Sequence, residues 1–220
     1  MALTFLFVYY KIYMENILQG VSKMDLTKKV YALMKQFDGY LTSKTARENG
    51  LENKTLQRMA KKGLIERAAY GLYVCPDILP DPLFIAQYRC PKGVFSHETA
   101  LFLHDLSDRD PLKLMMTIPS GWNSKMLPED NILFFYNNPK NMVLGISEIK
   151  TLSGMNVRVF DPERTLCDCL KNANKLDRDL VITALKRYVK NKNRDNAKML
   201  EYASALKIRD MVYRYLEVLV

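Results

Sequence analysis

Asn53, Thr55, Gln57 and Arg58 stand within six residues of one another and carry the side chains that read DNA base edges. An Asn or Gln amide pairs with adenine, and an Arg guanidinium with guanine. Lys44, Arg47, Lys61 and Lys62 around them suit phosphates, which position a protein on a duplex without reading sequence. Lys54 falls on the same outward side, and Arg67 with Tyr70 stands where a wing tip would meet backbone or minor groove. Ser43 to Cys75 holds seven Lys or Arg against three Asp or Glu, a modest excess. The order of the elements therefore weighs more than charge. A denser basic run follows later: Lys186, Arg187, Lys190, Lys192, Arg194 and Lys198, against Asp195 alone. It reads as a solvated helix pair, or as a second patch facing DNA, RNA or an acidic partner.

Enzymatic patterns are incomplete. H-E-x-x-H places two zinc-ligating imidazoles one helical turn apart. In Ser96-His97-Glu98-Thr99 the last position is Leu101, and His104 lies two turns from His97. The segment instead predicts a helix capped by Ser96, with His97 or Glu98 tying its start to a loop. Glu148-Ile149-Lys150 matches the E-x-K half of a metal-dependent nuclease, with Asp130 as the distant carboxylate; the triplet is common at strand ends. Asp161-Pro162-Glu163 reads as a cap, a first-turn proline and a dipole-favoured acid, with Arg164 and Asp168 paired at i,i+4. Cys167 and Cys169 point to different sides of that helix, and at least one is a small core residue. No catalytic residue, metal or cofactor is expected.

The elements that must position the DNA-reading residues are legible. Leu26, Val30, Leu33, Met34 and Phe37 recur at helical spacing up to Asp38-Gly39. Thr42 or Ser43 caps a second, short helix that ends at Asn49-Gly50. Asn53 caps a third, with Leu56 and Met59 inward, ending at Gly63. Leu64–Arg67 and Gly71–Val74 form a hairpin bent at Ala68–Gly71. Three helices and a hairpin predict a winged helix-turn-helix domain over residues 24–75, whose third helix enters the major groove. Pro76, Pro80 and Pro82 mark a linker over 76–82. The rest, 83–220, reads as α+β: strands at Leu112–Ile118, Ile132–Tyr136, Met142–Ile149 and Met155–Phe160, then helices from Asp161 on. Turns are expected at Gly121, Asn123, Asn137-Asn138-Pro139 and Ser153-Gly154.

The chain of 220 residues is 48% hydrophobic and 26% charged, so it is globular rather than disordered. Its net charge of +9 suits a polyanionic partner. Four cysteines without C-x-x-C spacing argue against a disulfide scaffold, and the cytoplasm is the expected compartment. Residues 1–23 read as an apolar arm or an upstream start; the apolar stretch is too short to span a bilayer, so no membrane partner is expected.

Tyr40–Ser43, Ala46–Leu51, Leu56–Met59, Lys61–Arg67 and Tyr70–Tyr73 together resemble the N-terminal domain of AbiEi-type antitoxins. Phe95–Leu101 is similar to that family's SHETAL segment, Pro119 and Gly121 to its P-x-G, and Val159–Asp168 to its DPERT-x-x-D. The resemblance runs from about Met24 to the C-terminus. It implies a non-enzymatic antitoxin of a type IV, abortive-infection toxin–antitoxin pair. Such a protein neutralises a nucleotidyltransferase-like toxin, whether or not the two touch, and represses its operon by binding inverted repeats as cooperating monomers or as a dimer. The alternatives from the residues are a nuclease targeted by the winged domain and a protein-interaction module independent of DNA.

Overall fold

The computed structural model describes residues 25–122 and 131–219. Residues 1–24, the turn expected at Asn123, the carboxylate of Asp130 and the side chain of Leu219 lie outside the described residues. The chain divides into two compact units between Pro80 and Asp81. Both mix helices with strands, the α+β class expected from the sequence. Among the described residues no helix is long and apolar enough to cross a membrane.

In the first unit, α1 (25–36) buries Val30, Leu33 and Met34 one turn apart. Phe37, expected on that face, is 46% exposed because the helix has already ended and the chain is turning. Gly39 closes the turn with its N–H on the Met34 carbonyl at 2.8 Å. Its φ is +84°, which favours glycine, and a Cβ there would also push the end of the Ile78 side chain aside. A strand missed in the sequence follows, β1 (Tyr40–Thr42). Thr42 caps α2 (Ser43–Glu48), its Oγ1 accepting the Thr45 N–H at 2.9 Å. Leu51 is buried between α2 and α3 (Asn53–Lys61). The hairpin is β2 (Glu66–Ala69) and β3 (Leu72–Val74) around Tyr70-Gly71. The first strand thus begins two residues later than expected, because Ile65 is drawn into the core, and Ala68 and Ala69 belong to it. The antiparallel sheet runs β1-β3-β2, with Tyr40 opposite Val74 and Arg67 opposite Tyr73. Leu41, Ala46, Leu56, Met59, Ile65 and Tyr73 complete the core against α1.

The second unit opens with a helix not anticipated in the sequence, whose first residue, Pro82, is the last of the expected linker. Pro82 occupies the first turn of α4 (Pro82–Arg89), and Asp81 caps it by accepting the Leu83 and Phe84 N–H groups. Next come β4 (Val94–Phe95), α5 (His97–Leu103), β5 (Leu114–Pro119), β6 (Ile132–Asn137), α6 (Pro139–Met142), β7 (Ile146–Lys150) and β8 (Asn156–Phe160). The five-stranded sheet is mixed, in the order β6-β5-β4-β8-β7, with β6 parallel to β5 and β8 parallel to β4. Two strand expectations need correction. Leu112 is exposed ahead of β5, and Met142 closes the helical turn α6, which Asn138 caps. The chain re-enters the sheet after Gly145 (φ +73°), where a Cβ would lie 2.7 Å from that of Arg164.

Helix α7 (Pro162–Lys171) is the centre of this unit, buried from Glu163 to Leu170. It packs with α8 (Arg178–Lys190), α9 (Asn196–Ala205) and α10 (Arg209–Leu219) around Leu166, Leu170, Leu185, Tyr188, Met199 and Leu206. Asp161 caps α7 through the Arg164 N–H at 2.8 Å. Arg164 Nε bonds Asp168 Oδ2 at 3.0 Å, and its Nη1 donates to the Asn141 and Leu144 carbonyls. The pair is buried, and the Nη1 bonds tie α6 and the loop that follows it to the helix. Burial pushes the Asp168 carboxyl up to about 6, against the opposing charge and hydrogen bond of Arg164. Cys167 and Cys169 are both core residues, their thiols pushed up by burial, that of Cys167 to about 12.

Candidate nucleic-acid interface

Helix α3 buries Leu56 and Met59 and turns Lys54, Gln57, Arg58 and Lys61 to solvent, with Lys62 just beyond its end. This is the 3.6-residue period acting on an amphipathic segment. Thr55 is corrected: it is 7% exposed and lies on the packed side beside Leu56, so it does not share the outer face. Asn53 is corrected as a cap. Glu52 occupies that position without a side-chain bond, and Asn53 Oδ1 instead accepts the Ser43 hydroxyl at 2.8 Å. That bond ties the start of α2 to the start of α3 and sets the two helices' mutual placement.

The hairpin faces the same ends. A hollow of about 280 Å³ lies between the starts of α2 and α3 and the β2–β3 turn, lined by Ser43, Arg47, Asn53, Gln57, Arg67 and Tyr70. Arg47 is oriented by its Nε bond to the Ser43 carbonyl at 3.3 Å. Arg67 is held by the Ala69 carbonyl and lies 5.3 Å from the Tyr70 ring centroid, a cation–π contact at the hairpin tip. Tyr70 is 88% exposed. Two guanidiniums, two carboxamides and a phenol thus converge on one concavity. Guanidiniums hold phosphate oxygens in a fork, and the amides pair donor with acceptor on a base edge.

Among the expected residues, Arg47, Asn53, Gln57, Arg67 and Tyr70 come together here. Lys54, Arg58, Lys61 and Lys62 are exposed along or beyond α3, and Lys44 lies on α2, 4.0 Å from Glu48. Ser43 was missed as a lining residue. Its spacing of ten from Asn53 matches no motif, and only the turn between the helices brings the two together.

The later basic run is not one free patch. Arg187 forms a two-pronged pair with Asp108, whose carboxyl the arginine holds below its usual range. Lys198 bonds Asp161 at 2.9 Å and Glu163 at 3.4 Å, so it serves the start of α7. Lys186, Lys190, Lys192 and Arg194 are exposed. Glu148 and Lys150 are exposed on the edge strand β7, with Glu148 opposite Arg158. Among the described residues no group of three His, Cys, Asp or Glu is placed to hold a metal. Ser96 sits at the head of α5 but makes no cap bond, because its hydroxyl oxygen is engaged by Thr117 and His97.

No protein-family model and no curated protein sequence matches the chain. Among solved structures it is similar to the crystal structure of the RV2827C protein from Mycobacterium tuberculosis, with a TM-score of 0.58 and 11% identity. The match covers 86% of this chain and 78% of that one; at this identity the likeness is one of fold.

Proposed function

We propose that residues 24–75 are a winged helix-turn-helix domain that binds duplex DNA, with α3 as the recognition helix and β2–β3 as the wing. The carrying observation is the hollow in which Arg47, Asn53, Gln57, Arg67 and Tyr70 meet beside the exposed face of α3. A recognition helix reads bases with its N-terminal residues while its flanks hold phosphates. Gln57 and Arg58 then read base edges, and Arg47, Lys61, Lys62 and Arg67 hold the backbone.

The chain as a whole is read as an AbiEi-type antitoxin that represses its operon through inverted repeats and antagonises a nucleotidyltransferase-like toxin in the cytoplasm. This rests on the resemblance, whose second-unit segments fall at the start of α5 and along α7. A gel shift on duplex DNA from upstream of its own operon tests the DNA reading. Wild-type protein retards the duplex, and Arg58→Ala/Lys61→Ala weakens retardation at least tenfold. No retardation by the wild type at low salt sinks it. Co-expression with a nucleotidyltransferase-like toxin encoded in the same operon tests the antitoxin reading, which fails if no such gene lies there or if growth is not restored.

A further inference from the structure

Strand β7 is an open edge of the five-stranded sheet. It pairs with β8 alone, and among the described residues no other segment hydrogen-bonds its outer backbone groups. Such an edge presents a row of N–H and C=O groups ready to pair with another strand. Its residues alternate. Ile146, Glu148 and Lys150 are exposed on one face, and Ser147 and Ile149 are half-buried on the other, Ile149 against the sheet core. Leu152 follows in the turn that the Gly154 N–H closes on the Thr151 carbonyl, and it is fully exposed. Two large apolar side chains, Ile146 and Leu152, thus bracket one acid and one base. Neither Glu148 nor Lys150 is ion-paired among the described residues. Arg158, opposite Glu148 on β8, directs its Nη2 to the Pro91 and Gly93 carbonyls instead.

The charges sort the ways in which this edge can meet its own copy. A sheet that continues across a two-fold axis keeps its two faces, and side chains alternate between those faces. The axis therefore passes through one residue, which stands opposite itself. Centred on Glu148 or on Lys150, the register sets two like charges against each other, which destabilises a strand pair. Centred on Ile146 or Ser147, it leaves both charges without an opposite partner. Centred on Ile149, it sets Glu148 of each copy against Lys150 of the other. The same register places Ser147 opposite Thr151 and brings Ile146 toward Leu152, so both exposed apolar side chains are covered. The other edge of the sheet offers no such selection, because Ile132–Asn137 of β6 carries no charged side chain.

We propose that two copies of this chain dimerise through β7, paired antiparallel about Ile149, so that their five-stranded sheets join into one of ten strands. Main-chain hydrogen bonds along the edge supply the attraction, and the two Glu148–Lys150 contacts fix the register. The edge is five residues long, so the interface belongs with small, reversible contacts rather than obligate ones. The contact lies wholly in the second unit and does not depend on DNA binding by the first. Two joined copies also suit the two halves of an inverted repeat, the arrangement proposed above.

Sedimentation velocity of the full-length protein, from micromolar to submillimolar concentration and without DNA, tests this. The wild type passes from monomer to dimer as concentration rises. Glu148→Lys and Lys150→Glu each weaken dimerisation at least tenfold, because by symmetry each turns two opposite-sign contacts into like-sign ones. Mixed one to one, the two variants dimerise with each other at least tenfold more tightly than either does alone, since opposite charges face each other again. Glu148→Lys/Lys150→Glu, which exchanges the charges within one chain, dimerises like the wild type. A variant that had merely misfolded would be rescued by neither route. The proposal is overturned if the wild type stays monomeric throughout, which leaves the edge to some other strand. It is overturned equally if either single variant dimerises like the wild type, if the mixture associates no better than its components, or if the exchanged double variant stays monomeric.

Discussion

Removing Arg47 and Arg67 together should flatten the salt dependence of DNA binding. Of the cations assigned to the interface, six are exposed and without a carboxylate partner: Arg47, Lys54, Arg58, Lys61, Lys62 and Arg67. Lys44 is left out because Glu48 lies 4.0 Å away. Each phosphate neutralised contributes about 0.9 to the slope of log affinity against log salt. Six contacts per bound copy give a slope of about −5.4, and a loss of about 2,000-fold as salt rises from about 50 to about 200 mM. Arg47→Ala/Arg67→Ala leaves four contacts, a slope of about −3.6 and a loss of about 150-fold over the same range. Fluorescence anisotropy with a labelled operator duplex reads both slopes. Gln57→Ala is the neutral comparator, lowering affinity for the cognate site by about 1–3 kcal/mol without changing the slope. A second comparator is Lys190→Ala/Lys192→Ala in the other unit, which leaves the slope unchanged. The reasoning fails if the arginine double variant keeps the wild-type slope, or if the comparator lysines flatten it equally.

Two further outcomes concern the second unit, which the single tryptophan, Trp122, reports because it packs on that unit's sheet core. His97 has its pKa lowered on folding, so the unfolded chain takes up a proton first as pH falls. Its contribution is complete above pH 6.5 and is lost as pH drops from there toward 3. At about 1.4 kcal/mol per pH unit, urea unfolding followed by Trp122 should lose about 2 kcal/mol between pH 6.5 and about pH 5. Asp168 opposes this: its raised pKa gives stability present below 3.8 and lost as pH rises through about 6. His97→Gln isolates the histidine, and its pH dependence should be shallower than wild type by that amount; an identical dependence contradicts the assignment. Arg164→Ala should cost about 3–5 kcal/mol, because a buried carboxylate loses its partner and the Asn141 and Leu144 carbonyls lose their donor. A loss under about 1 kcal/mol in the same assay would mean that water reaches the site and replaces the guanidinium.

Local order was readable where one segment satisfies itself. Val30, Leu33 and Met34 at helical spacing, Asn49-Gly50 between two helices, and Asp161-Pro162 ahead of α7 each announce their element with a few residues. The Arg164–Asp168 pair was legible for the same reason, since i,i+4 geometry is local. Its burial was not, because that depends on α6 and the loop through Leu144 and Gly145 closing over it. The errors also share a cause. Helix α4 was hidden by a proline that opens a helix as readily as it breaks one, and Asp81 decides which. Strands β1 and β4, three and two residues long, carry no period and exist only because β3 and β5 lie beside them.

The sequence by itself determined most of the helices and strands, the basic balance and the residues able to touch phosphate or base, since these follow from side-chain period and type. Tertiary structure decided which of them share a surface. It turned Thr55 inward, gave Asn53 to Ser43, brought Arg47 and Arg67 to one hollow and took Arg187 and Lys198 out of the basic run by pairing them with acids distant in sequence. The reason is that period and propensity act within a few residues, whereas a site forms where segments far apart in the chain are pressed together by the burial of their apolar faces.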